Sequence, residues 1–187
     1  MVRAKSKHQN HFLVGKSVYL RRVRITDAPF ILKWHNDPGL RKLARSGAPR
    51  MTLKNERKDI RSARRSENEA YLMVIRKSDN RLIGFIRLNG ITSASIRVWL
   101  RIIIGDKSAW GKNYASDAMR TVLKWLFYEL DIHRVELETY ATNKRALRFF
   151  EKMGFKREGI LREAHFTNGK YYDIISFGLL KKEFKKF

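Results

Sequence analysis

Residues 17–23 (SVYLRRV) alternate apolar and polar side chains, the period of a strand. Thr26 and Asp27 then offer cap oxygens to a helix carrying Phe30, Ile31 and Trp34, which stops near Asn36-Asp37-Pro38. Residues 40–65 have helical propensity but few apolar anchors, and Gly47-Ala48-Pro49 interrupts them. This predicts the least firmly packed part of the chain. A meander follows, with strands over 70–77, 81–89 and 96–104 and a turn at Ser78-Asp79-Asn80. The period then changes. Apolar residues at 115, 118, 119, 122, 123, 126 and 127 predict an amphipathic helix over 114–130. Residues 134–141 alternate as a strand, 144–153 return to helical spacing, and Gly154 takes the position after a helix end. Strands over 155–161 and 171–180 close the chain around Asn168-Gly169, a hairpin signal. Residues 1–14 read as a basic, mobile tail, leaving 15–187 as one domain.

Strand, helix and strand between residues 96 and 141 imply a right-handed parallel crossover in an otherwise antiparallel sheet. The fold class is therefore α/β, a mixed α+β sheet that is mostly antiparallel. Two parallel neighbours joined by a helix make a place where strands can splay, and ligands favour such breaks. Trp99, Trp125, Phe127, Phe149 and Phe155 are expected core aromatics.

At 187 residues and 43% apolar content, the chain can enclose a full core. No apolar run is long enough for a bilayer, and no secretion signal is legible, so a cytoplasmic location is expected. Cysteine is absent, which removes disulfides, thiolate metal sites and a Cys nucleophile. His8, His11, His35 and His165 show no metal-ligand spacing, and His133 reads as a packing or surface residue. The charge is the unusual quantity: 41 Lys and Arg against 18 acids, a net +23. Ten cations fall between residues 40 and 66, opposed by Glu56 and Asp59 alone. Either this is a solvated basic surface, or it attracts a polyanion such as nucleic acid, ribosome or a phosphorylated ligand.

Ile104-Gly105-Asp106-Lys107-Ser108-Ala109-Trp110-Gly111-Lys112-Asn113-Tyr114-Ala115 ends a strand, turns and opens a long helix. The first helical turn offers amides with no partner inside the helix and a partial positive charge, which suits a pyrophosphate. A Walker loop fails on spacing and on Asn113 in the Ser/Thr position, and no G-x-G-x-x-G is present. Asp106 reads as a turn or cap residue.

The segment Trp110 to Ala118 resembles motif A of the GNAT superfamily of N-acetyltransferases, whose usual form is Q/R-x-x-G-x-G/A. His133-Arg134-Val135-Glu136-Leu137 resembles the next strand of that family. Asn143-Lys144-Arg145-Ala146-Leu147-Arg148-Phe149-Phe150-Glu151-Lys152-Met153-Gly154-Phe155 resembles its motif B helix. Gly159 to Glu163, Asn168 to Asp173 and Trp34 to Pro38 are similar to the ribosomal-protein (RimJ/RimL-like) branch. The resemblance runs from about Ser17 to Phe184. Trp110 stands at the Q/R position and Asn113 at the second Gly position; Asn tolerates positive φ better than most residues.

The resemblance implies acetyl-coenzyme A as cofactor. Amides of Trp110, Gly111, Lys112, Asn113, Tyr114 and Ala115 would hold the pyrophosphate, with Lys112 adding charge. Ile102, Ile103 and Ile104 would pair with the pantetheine arm, and Asn143 would hydrogen-bond the cofactor. The Tyr that donates a proton in many members is here Phe150, so another group serves or the thiolate leaves unprotonated. Tyr140 and Ser108 are the candidate replacements. Glu138 shares a strand face with Glu136 and is the candidate base, with a solvent-facing ion pair as its competing role. Substrate choice falls to residues 34–65 and 163–172, which places Trp34, Asn36 and Tyr172 at the acceptor. The acceptor is expected to be a primary amine, on an acidic protein N-terminus or a ribosomal protein, or alternatively on an amino sugar or other small molecule. A non-catalytic RNA- or ribosome-binding module is the rival of another class. Monomer and homodimer both stay open.

Overall fold

The computed structural model describes residues 12–43, 49–91, 96–167 and 169–185. The eight strands are β1 (Leu13–Val14), β2 (Val18–Arg22), β3 (Glu69–Arg76), β4 (Arg81–Asn89), β5 (Arg97–Ile104), β6 (Arg134–Tyr140), β7 (Lys156–Thr167) and β8 (Lys170–Leu180). They form one sheet in the order β1-β2-β3-β4-β5-β6-β8-β7. Every neighbour is antiparallel except β5 and β6, which are parallel. This is the mixed sheet that the strand-helix-strand pattern implies. Leu13 and Val14 fall inside the segment read as a tail, yet they pair with Leu20 and Tyr19. Residues 1–11 lie outside the described residues, as do Gly47 and Ala48 of the expected break and Asn168 of the hairpin turn.

Both faces of the central strands are covered. Along β3, Leu72 and Val74 enter one core cluster while Tyr71, Met73 and Ile75 enter the other, so the strand reads as a continuous apolar run. The first cluster lies under α4 (Tyr114–Lys124) and α5 (Lys144–Lys152). The second lies under α1 (Ala28–Asn36), α2 (Pro38–Leu43) and α3 (Leu53–Arg65). The helix expected over 114–130 changes at Trp125: residues Trp125–Glu129 form a π turn in which the Leu130 N–H reaches the Trp125 carbonyl. Of the expected core aromatics, Trp125, Phe127 and Phe155 are buried, whereas Trp99 and Phe149 are half-buried and line cavities.

The expectation that residues 40–65 pack weakly does not hold for α3. Thr52 caps it by accepting from the Asn55 N–H, and Ile60 and Ala63 are buried. Its third anchor is Glu56, 0% exposed, with Oε2 2.9 Å from His35 Nδ1 on α1. A charged residue serves here as an interior contact, which an apolar count cannot register.

Asp117, in the first turn of α4, fixes the start of the sheet. Its carboxylate accepts from the N–H groups of Lys16, Ser17 and Val18 at 2.9, 2.6 and 3.0 Å and from Ser17 Oγ at 3.0 Å. A Cβ on Gly15 would lie 2.8 Å from that carboxylate. Burial pushes the Asp117 pKa up, but these hydrogen bonds outweigh it and hold the group below the ordinary carboxylate value. A depressed folded pKa gives stability that is present above the unfolded value of about 3.9 and fades as pH falls through the folded one. Asp117→Asn is expected to cost about 2 kcal/mol at neutral pH. The gap to wild type should narrow below about pH 4, read by urea unfolding across pH.

Candidate active site

The ladder between β5 and β6 lasts for three residues, Arg97, Val98 and Trp99 against Arg134, Val135 and Glu136. Each strand then keeps only its outer partner: β5 stays on β4 as far as Ile104, and β6 on β8 as far as Tyr140. The inner edges part, leaving a gap in the sheet.

The loop after β5 closes one end of this gap. Asp106 caps a short turn (Lys107–Ala109), accepting from the Ser108 N–H at 3.0 Å and Oγ at 2.7 Å. Burial raises the Asp106 pKa, and the Ser108 bonds outweigh it and hold the group ionised. Gly111 has φ +75 and Asn113 has φ +60, both left-handed. A Cβ built on Gly111 meets nothing within 4 Å, so this backbone faces open space. The first bond closing α4 runs from the Asp117 N–H to the Asn113 carbonyl, 3.0 Å, and the amides before it have no partner within the helix.

A cavity of about 420 Å³ opens there, between the free edge of β5, the head of α4 and one face of α5. Its size falls in the usual range for small-molecule sites. All residues that the resemblance assigns to the cofactor line it except Lys112, whose side chain is exposed. Two of them are placed differently from expectation. The Trp110 amide already donates to the Lys107 carbonyl at 3.2 Å, and its indole Nε1 donates to the Ile104 carbonyl at 2.8 Å. Trp110 therefore offers a ring, and the available amides begin at Gly111. Asn143 is 8% exposed and doubly engaged: Oδ1 accepts from the Ala146 N–H at 3.1 Å, capping α5, and Nδ2 donates to the Leu43 carbonyl at 2.7 Å. It thereby joins the end of α2 to the start of α5.

Arg145 and Arg148 also line the cavity and were not foreseen. The Arg145 guanidinium lies 3.8 Å from the Trp110 ring centroid, and burial lowers its pKa. Their spacing with Lys152, at i, i+3 and i+7 on one helical face, was the signal available in the sequence.

A second cavity, about 90 Å³, occupies the gap itself and shares Ile102, Ile103, Asn143 and Phe150 with the first. Trp99, Arg101 and Glu138 contribute its other side. Glu138 is half-buried at the splay, and Phe150 walls both cavities with a buried ring. Tyr140, two residues along the same face, packs on His165 and Tyr172 at 5.0 and 6.0 Å between ring centroids. Trp34 and Asn36, by contrast, serve packing. Trp34 is buried, stacks on Phe85 and lies against Gly105, where a Cβ would fall 2.2 Å from its ring. Asn36 exchanges two hydrogen bonds with the Met51 backbone, 2.9 and 3.0 Å. Ser108 sits on the exposed loop, bonded to Asp106. Among the described residues there is no cluster of His, Asp and Glu suited to a metal, and no helix long and apolar enough to cross a membrane.

Residues 17–156 match a defined family model, acetyltransferase (GNAT) domain. The chain belongs to the GNAT acetyltransferase family. The probable N-acetyltransferase YjcK of Bacillus subtilis is 30% identical over 167 residues, 86% of this chain and 92% of that protein. The putative ribosomal N-acetyltransferase YdaF of Bacillus subtilis is 29% identical over 111 residues, 57% of this chain and 58% of that one. In fold, the spermidine N-acetyltransferase of Vibrio cholerae, crystallised with CoA and spermine, superposes with a TM-score of 0.82 at 24% identity, covering 89% of this chain and 97% of that one. GNAT enzymes use acetyl-coenzyme A, and the residues present fit it: open backbone at Gly111, helix-head amides without a partner inside the helix, and the Arg145 cation at the cavity wall.

Acetyl-coenzyme A at a hundredfold excess over its dissociation constant should stabilise the GNAT chain by about 2.7 kcal/mol. Gly111→Glu should abolish that shift, by setting bulk and negative charge at a positive-φ position facing the cavity. Asn113→Gly should keep it, because glycine adopts the left-handed conformation without strain. Differential scanning fluorimetry with and without acetyl-coenzyme A reads both.

Proposed function

We propose that this GNAT enzyme acetylates a primary amine that is neutral or acidic in its surroundings, a protein N-terminus of the kind served by the RimJ/RimL-like branch. The observation that carries an acetyltransferase reading is the splay itself, with Gly111 and Asn113 at one end and Glu138 in the gap. Amides from Gly111 onward and Arg145 hold the cofactor phosphates. The β5 edge at Ile102 and Ile103 aligns the arm. When bound, acetyl-coenzyme A supplies an acetyl group activated as a thioester.

Glu138 accepts the proton that the acceptor ammonium must lose, directly or through one water. Phe150 closes the opposite wall with an apolar ring and has no proton to give. Tyr140, held against His165 and Tyr172, stands next along the same strand face and positions the acceptor.

Charge at the gap argues against a polyamine. Arg101 and Glu138 both line it, and Arg87, opposite Arg101 on β4, pairs with Asp59 at 2.8 Å and Glu69 at 2.9 Å. Among the residues that line this gap Glu138 is the one carboxylate, whereas a chain of ammonium groups calls for several. A small polyamine is the second reading, because the Vibrio cholerae spermidine N(1)-acetyltransferase is 28% identical over 118 residues, 63% of this chain and 68% of that protein.

Acetyl transfer measured on peptides with acidic N-termini and on spermidine should favour the peptides; faster acetylation of spermidine overturns this acceptor. Glu138→Gln should lower kcat by about 10²-fold or more with little change in the affinity for acetyl-coenzyme A. An unchanged kcat would assign Glu138 to a surface ion pair.

A further inference from the structure

Six cations stand on the outer face of α3, away from both cavities. Lys54, Arg57, Lys58, Arg61, Arg64 and Arg65 are all exposed. At 3.6 residues per turn they fall within an arc of about 120°. Glu56, Ile60 and Ala63 occupy the opposite side and are buried on the sheet. The two acids of the helix are withdrawn from the arc. Glu56 lies in the core against His35, and Asp59 grips Arg87 with both oxygens, at 2.8 and 3.1 Å. The remaining polar residues of the helix, Asn55 and Ser62, are neutral and exposed. Among the described residues, no ion pair includes any of the six.

A surface built only for solubility intersperses both signs. Like charges at i, i+3 and i+4 destabilise a helix, and Lys54 near its positive N-terminal end adds to that cost. α3 nonetheless concentrates one sign along about 16 Å, a length that faces about five phosphates of one strand. The arc carries no apolar residue to anchor a protein interface or to enter lipid headgroups, and no aromatic residue on which a splayed base could stack. What it offers is a row of cations for a regular row of anions.

We propose that the outer face of α3 docks the phosphate backbone of duplex nucleic acid, without reading its sequence. None of the six lines either cavity, so docking leaves the acetyl-coenzyme A site open. The surface holds the enzyme on a polyanion while the gap between β5 and β6 faces elsewhere.

The test is fluorescence anisotropy with labelled 20-base-pair RNA and DNA duplexes of two unrelated sequences, titrated from 50 to 200 mM KCl. Affinity should be independent of sequence, and log K should fall against log[salt] with a slope of about −5 if all six cations engage. Lys54→Gln, Arg57→Gln, Lys58→Gln, Arg61→Gln, Arg64→Gln and Arg65→Gln together should weaken binding more than tenfold and flatten that slope. Removing the same charge elsewhere, as Gln at Lys33, Lys124, Arg162, Lys170, Lys182 and Lys185, should change affinity far less. Equal losses in the two variants would trace binding to net charge and overturn the assignment to α3. So would binding to anionic vesicles or an acidic polypeptide with duplexes ignored. The thermal shift with acetyl-coenzyme A, unchanged in the α3 variant, shows that the chain is folded. It also separates failure here from failure of the acetyltransfer reading.

Discussion

Beyond Trp99 and Glu136 the two parallel strands share no ladder bonds, and each stays paired on its outer side alone. A backbone N–H or carbonyl in the interior must find a partner, and here the sheet itself declines to provide one. The gap is therefore a demand for an extended polar ligand, written into the pairing pattern. The cavity, the helix head and the proposed base are all arranged around it.

The second core sets the position of the phosphate-facing loop. Trp34 lies flat under Gly105 with no room for a Cβ, and Lys107 reaches Asp37 at 2.8 Å, which holds that carboxyl below its ordinary value. Loop, α1 and α2 are thus clamped together from below. Asn143 ties the end of α2 to α5 across the cavity from above. The loop stays in place through these contacts and the Trp110 indole on the Ile104 carbonyl.

Where the sequence was legible, the cause was local. The helix at 114, the positive φ at Asn113 and the C′ role of Gly154 follow from chain-neighbour physics, and the parallel crossover follows from element order. What escaped depends on partners far along the chain. Glu56 looks like a surface acid until His35, 21 residues away, meets it in the core. Trp34 looks like an acceptor contact until it is seen under Gly105. Trp110 was assigned an amide, yet it spends that amide on Lys107 and its indole on Ile104. Trp99 alternates like a core residue, but its strand loses its neighbour there. None of these can be read from period or propensity.

Amide hydrogen exchange with and without coenzyme A tests the central claim most directly. Exchange should slow at residues 111–116 and along 102–104, the helix head and the unpaired strand edge, while the outer strands stay unchanged. Saturating coenzyme A that leaves those amides exchanging as before, or protects a different edge of the sheet, would contradict it.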